Sequence, residues 1–197
     1  MAEAELGNRG VGIHHPGMQS RDTRYSDSAT MLGTDSDRRK VSLMTAGQQD
    51  TGLRQIGEAI ERSGVYLEFV PQPTALETCW YTIGLTNHDH PELILFGLPP
   101  DISRPVLHTV AGEVIAGRRR CTAGQYVDDV LEGHQVRFVA VNEPDRHLPV
   151  AARFYAVTGA AVEALQIVWP DRYHRWPWQP GTRVDDMPVL GRHASSG

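Results

Sequence analysis

Lysine is almost missing from these 197 residues: Lys40 is the only one, and every other basic residue is an arginine. The stretch that reads as a folded domain therefore has no lysine for a Schiff base or for a phosphate-binding loop. A GC-rich coding sequence would explain the arginine preference equally well. Cysteine is scarce too. Cys79 and Cys121 cannot build a disulfide framework, and no Cys-x-x-Cys pair exists, so free, partly buried thiols in a reducing cytoplasm are expected. No apolar run reaches transmembrane length, and the N-terminus lacks a basic region followed by an apolar core. By elimination the expected location is the cytoplasm, with no membrane partner. An excess of basic charge is also lacking. With 24 acidic against 19 basic residues and a net charge of −5, the chain does not read as a nucleic-acid binder, which would normally carry a basic face. There is no Gly-x-Ser-x-Gly elbow, no Gly-x-Gly-x-x-Gly, no phosphate loop, no internal repeat and no heptad.

Residues 1–48 are polar, with isolated apolar residues at no period of 2 or 3.6. Such a segment cannot bury enough apolar area to offset its ordering entropy, so a disordered leader is expected. The pair His14-His15 in it reads as part of a solvated tail, and Met44 is a candidate alternative start. Residues 49–183 read as one globular α+β domain, and residues 184–197 as a disordered tail. Leu53, Ile56 and Ile60 give residues 50–63 one apolar stripe, and Gly64 suits the left-handed position after a helix end. Val65–Val70 alternates as a strand. Pro100–Ile115 is the strongest helix, capped by Asp101 or Ser103, with Ile102, Val106, Val110 and Val114 on its apolar face, broadened by Leu107 and Ala111, and Gly117 ending it. Val136–Val141 and Ala164–Trp169 read as strands, Pro149–Val157 as a short helix, and Tyr126–Leu131 as a short strand or helical turn. The expected architecture is a mixed or antiparallel sheet of about five strands with helices packed against it. A split barrel of the flavin-reductase type is the alternative.

The most distinctive stretch runs from Cys79 to Pro99. Trp80–Leu85 and Leu93–Leu98 are apolar and strand-like, and between them lies Thr86-Asn-His-Asp-His-Pro91. Gly84, inside an apolar run, marks a bulge or a close backbone approach. Tyr81-Thr-Ile-Gly-Leu85, His90-Pro-Glu92, Gly97-Leu98 and Trp169-Pro-Asp171, in that order, resemble an uncharacterised bacterial domain-of-unknown-function family over roughly residues 50–181. The resemblance implies domain limits and candidate positions but brings no activity.

Three groups of residues invite chemistry. In an extended chain His88, His90 and Glu92 would face one way, and two imidazoles with a carboxylate can ligate zinc or iron; the alternative is a capped polar turn that also contains Asp89. Trp169-Pro-Asp171 and Trp176-Pro-Trp178 form either a lid over the sheet or the aromatic wall of a pocket, with Asp171 or His174 as its polar group. Arg118-Arg-Arg120 is either a solvated basic turn near a helix end or an anion-binding group.

Three functions fit. The first is a small-ligand-binding or regulatory module whose small molecule meets Tyr81, His88, His90, Glu92, Trp169 and Asp171. The second is a metal-assisted or general acid/base hydrolase using His88, His90, Glu92 and Asp171. The third is a protein-interaction module whose exposed aromatics bind a partner or a second copy as a homodimer. The first ranks ahead because no complete catalytic signature is present. It carries a geometric expectation: His90, Glu92 and Asp171 line one cavity, with Tyr81 and Trp169 as walls. No cofactor is assigned.

Overall fold

The computed structural model describes residues 50–184 and 186–192; the expected leader at residues 1–48 lies outside them. Residues 50–63 are helical (α1), and Gly64, at φ 80°, turns the chain into β1 (Tyr66–Val70). The remaining elements are β2 (Cys79–Ile83), a 3-10 turn at Leu85–His88, β3 (Glu92–Phe96), α2 (Pro100–Ile115), β4 (Tyr126–Leu131), β5 (His134–Ala140), α3 (Pro144–His147), α4 (Pro149–Ala156) and β6 (Ala164–Val168). Among the described residues the sheet has six strands, in the order β1-β2-β3-β6-β5-β4. It is an open sheet with edges at β1 and β4, so the split-barrel alternative does not hold, and the ambiguous segment at Tyr126–Leu131 is strand β4, which brings the count to six against the about five expected.

Two antiparallel three-strand meanders meet at the only parallel pair of the described sheet, β3 with β6, where Glu92 faces Ala164 and Leu95 faces Ile167. Parallel neighbours need a long crossover, and the chain from α2 through α4 supplies it. Alternation along the central strands gives the sheet two cores. Ile94 and Phe96 join Tyr81, Ile83, Leu148, Ala151, Tyr155 and Val168 on one face, with Ile56 of α1. Leu93, Leu95, Phe138 and Ile167 meet Leu107, Val110, Ala111 and Val114 of α2 on the other. Every residue of β3 and β6 is buried, which suits their mostly apolar composition; the exceptions are Glu92 and Gln166.

The bounds of α2 are those expected, but its buried face is rotated. Ser103, Leu107, Val110, Ala111 and Val114 point inward, while Ile102 is exposed. Neither Asp101 nor Ser103 caps the helix: it starts at Pro100 without a side-chain cap, and the Ser103 hydroxyl instead donates to the Leu98 carbonyl at 2.8 Å. The expectation of a tail from residue 184 is corrected for the residues described. Val184 and Met187 are buried in the first core. The fully buried Gln166 of β6 donates to the Pro188 carbonyl at 2.6 Å and accepts from the Leu190 N–H at 2.8 Å, so the segment is strapped to the sheet. No described helix is long and apolar enough to cross a membrane.

Candidate functional site

Glu92 opens β3 and is fully buried. A bare carboxylate there would be costly, so its donors matter. One oxygen, Oε2, accepts from the Thr82 hydroxyl at 2.6 Å. The other, Oε1, accepts from the Thr86 N–H and hydroxyl, both at 3.0 Å, from the Gly84 N–H at 3.1 Å and from the Tyr155 hydroxyl at 2.7 Å. The Gly84 N–H also reaches the Tyr155 oxygen at 2.7 Å. Burial, then the neighbouring Glu92, push the Tyr155 phenol well above its ordinary value, so it stays a donor to the carboxylate. This network ties the end of β2, the turn and α4 to the first residue of β3. Gly84 sits at φ 137°, and a Cβ there would stand 2.5 Å from the Gly64 carbonyl oxygen. The close backbone approach expected of this glycine is therefore present.

The turn itself is not extended. The 3-10 geometry of Leu85–His88, followed by Asp89 in the left-handed region at φ 53°, undoes the two-residue alternation that would have aligned His88, His90 and Glu92. His88 and Asp89 are exposed, whereas His90 and Glu92 are buried. Among the described residues no three His, Cys, Asp or Glu side chains come together in a way that could hold a metal ion. His90 has both ring nitrogens engaged: Nδ1–H donates to the Pro91 carbonyl at 2.7 Å and Nε2 accepts from the Cys121 N–H at 3.0 Å. Burial lowers its pKa below the ordinary histidine value; the Pro91 carbonyl opposes this, the Arg120 charge adds to it and Glu92 opposes it. The neutral ring is thus a clamp between the turn and the loop at residue 121.

Beside this clamp is a cavity of about 810 Å³ lined by Asp89, His90, Arg120, Cys121 and Glu163, with Thr86 and Thr122 and with apolar walls from Ala140, Val141, Pro144, Ala161 and Leu165. It opens at the end of the sheet where β3 and β6 begin. The three consecutive arginines meet different fates. Arg119 is paired with Glu113 and Asp129, and the Arg118 and Arg119 N–H groups both donate to the Glu113 carbonyl at 2.9 and 3.2 Å. Held this way, the chain presents Arg120 to the cavity, and Arg120 has no ion pair among the described residues. Burial pushes the Cys121 thiol up to about 11 and the Cys79 thiol up to about 12, so neither is an activated nucleophile.

The other expected residues lie elsewhere. Because β3 and β6 run parallel, Trp169-Pro-Asp171 leaves the sheet at the end opposite to His90. The Trp169 indole N–H donates to the carbonyl of Phe96, the last residue of β3, at 2.8 Å. Four residues of strand, about 13 Å at its usual rise, separate Phe96 from Glu92. Asp171 is almost completely buried and closes its own loop. Oδ1 accepts from the Tyr173 and Arg175 N–H groups, and Oδ2 from the Arg183 N–H and the Arg175 guanidinium. Burial pushes this carboxyl up, but the Arg175, Tyr173 and Arg183 N–H groups and the Arg175 side chain outweigh it and hold the pKa at about 2. Tyr81 is fully buried in the core, its oxygen accepting from the Val150 N–H at 3.3 Å. None of Tyr81, Glu92, Trp169 and Asp171 lines the cavity, so the expectation of one shared cavity is corrected. Trp176 and Trp178 stack on each other with ring centroids 5.3 Å apart. Of the residues proposed as ligand contacts, His90 alone reaches the cavity. Arg120 stood in a group considered for anion binding, but nothing in the sequence marked Glu163, Thr122 or Ala161, which come from segments far apart along the chain.

No curated protein and no solved structure matches this chain. Residues 59–183, more than half of it, match the family model described as a domain of unknown function, DUF4262, and the chain belongs to that family.

Proposed function

We propose that this protein is a cytoplasmic binding module for a small polar molecule, held in the cavity beside His90. The observation that carries the reading is the cavity itself. Its volume of about 810 Å³ falls in the range of small-molecule sites, and it combines a mostly apolar wall with converging polar groups. The support behind it is rigid. His90 joins the turn to the loop carrying Arg120, and the Glu92 N–H donates to the Glu163 carbonyl at 2.8 Å. Three separate segments are thereby fastened together just behind the lining, and such preorganisation lowers the entropic cost of binding. A hydrolase reading draws less support. The four residues it needs are divided between an exposed turn, a clamped imidazole, an enclosed carboxylate network and the opposite end of the sheet.

The test is native mass spectrometry of the full chain purified from its own cells, together with an Ala161→Trp variant. Ala161 is exposed and lines the cavity, so the indole would fill space without entering the core. A small-molecule adduct on the wild type that the variant lacks, at an unchanged melting midpoint, supports the reading. No adduct after incubation with a metabolite extract, or equal retention by the variant, overturns it.

A further inference from the structure

The charged groups of the cavity are of both signs and are exposed, and they differ from Arg119, Asp171 and Glu92. Arg119 has two carboxylates, Asp171 has a guanidinium and three N–H groups, and Glu92 has four donor residues. The side chains of Arg120, Asp89 and Glu163, all lining one cavity, have no ion pair among the described residues. They come from the loop at 120–123, from the turn before β3 and from the residue before β6, and the bonds through His90 and Glu92 hold these segments in register. Asp89 is also held at φ 53°. Asp visits that left-handed region more readily than most residues, and the backbone there sets the direction of its Cα–Cβ bond. Between the charges lie Ala140, Val141, Pro144, Ala161 and Leu165.

A ligand complementary to this lining carries an anion for Arg120, a cation for Asp89 and Glu163, and an apolar body between them. Charges of one sign would leave part of the lining unmatched and would cost desolvation without return. Resting on the binding reading above, we infer that the cavity takes a small zwitterion with an apolar body, of the class of an amino acid or short peptide with free ammonium and carboxylate ends. The cavity is large enough for more than one residue. Arg120 is the anion contact, since a guanidinium can donate two parallel hydrogen bonds to a carboxylate. Asp89 and Glu163 take the ammonium.

The experiment uses the full chain and three probes of almost equal size: the dipeptide L-leucyl-L-alanine, its N-acetyl derivative, which lacks the cation, and its C-terminal amide, which lacks the anion. The free dipeptide at about ten times its Kd is expected to raise the melting midpoint by roughly 3–6 °C. Each capped form should bind about tenfold or more weakly. Arg120→Ala should remove the distinction between the free dipeptide and its amide, and Asp89→Asn with Glu163→Gln should remove that between the free and N-acetylated forms. Equal binding of all three probes in the wild type overturns the inference, as does the absence of any shift. If a capped probe binds better than the free dipeptide and Ala161→Trp abolishes that binding, the zwitterion inference falls while the cavity remains the ligand site. If a capped probe binds and Ala161→Trp leaves it bound, both fall.

Discussion

The two ends of the parallel pair β3/β6 each hold a buried carboxylate, yet they are built differently. At the far end Asp171 is the hub of a closed loop, its two oxygens shared among nearby N–H groups and the Arg175 guanidinium. At the near end Glu92 is satisfied by hydroxyls and N–H groups from β2, the turn and α4. What lies around it is open: a cavity whose own charged groups have no ion pair among the described residues. An enclosed carboxylate with full partners holds structure together. The cavity's charges stand on segments that hydrogen bonds hold together, and they are the ones the proposed binding would use. Richness in ionisable residues does not separate the two cases; the number of donors already spent does.

The comparison breaks most sharply at the glycines that flank it. Gly84→Val puts a β-branched side chain at φ 137° and against the Gly64 carbonyl, and no side-chain motion relieves a clash with backbone. We expect no soluble folded protein. At the other end, Gly97→Ala also meets a positive φ of 77°, but its Cβ would touch the side chains of Leu76 and Trp169 at 3.2 Å. Those can shift, so a folded, destabilised protein is expected. Equal soluble yield and equal melting midpoints for the two variants would dissolve the contrast.

Next in size is Glu92→Ala, which strips the acceptor from Thr82, Gly84, Thr86 and Tyr155. The loss should be about 3 kcal/mol or more in denaturant unfolding, because several buried donors are left unsatisfied. Tyr155→Phe removes one member of the same network and should cost about 1–3 kcal/mol. Asp171→Asn is expected to loosen residues 171–183 while the core stays intact, read as faster proteolysis confined to that segment. Global unfolding with no local cleavage would make the two ends alike.

The pH dependence separates them as well. The folded-state pKa of Asp171 is about 2, below that of an unfolded aspartate at about 3.9. Its stabilisation is complete above the unfolded value and is lost as pH falls through about 2. The His90 pKa is likewise lowered from an unfolded value of about 6.5. Its contribution is complete above that value and declines as pH falls toward the folded one, since the unfolded chain takes up a proton the clamped ring refuses. A His90→Gln variant should flatten the stability profile just below pH 6.5 and leave the acid limb near pH 2 unchanged. The smallest effects belong to the cavity charges. Arg120→Ala and Glu163→Gln should each change stability by no more than about 0.5 kcal/mol, and a larger loss would assign them to the fold.

Much of the fold was legible in local sequence. The bounds of α2, the positions of the central strands, the helix-ending role of Gly64 and the close approach at Gly84 follow from short-range rules of periodicity, proline placement and positive φ. Membership in a domain-of-unknown-function family, expected from the sequence, is what the family model shows. Tertiary structure alone decided that β3 and β6 pair in parallel, and with it that His90 and Asp171 sit at opposite ends. It also decided that residues 186–192 strap the sheet, because their polar partner Gln166 lies more than twenty positions away. Its largest effect is on the polar residues. Whether a carboxylate is spent or free depends on donors distant in the chain. Tyr155 stands 63 residues from Glu92, and the Cys121 N–H stands 31 from His90. Sequence determines which side chains can accept a hydrogen bond. Only the folded chain determines how many donors reach them, because a hydrogen bond needs its two atoms within about 3 Å and a one-dimensional order carries no such distance.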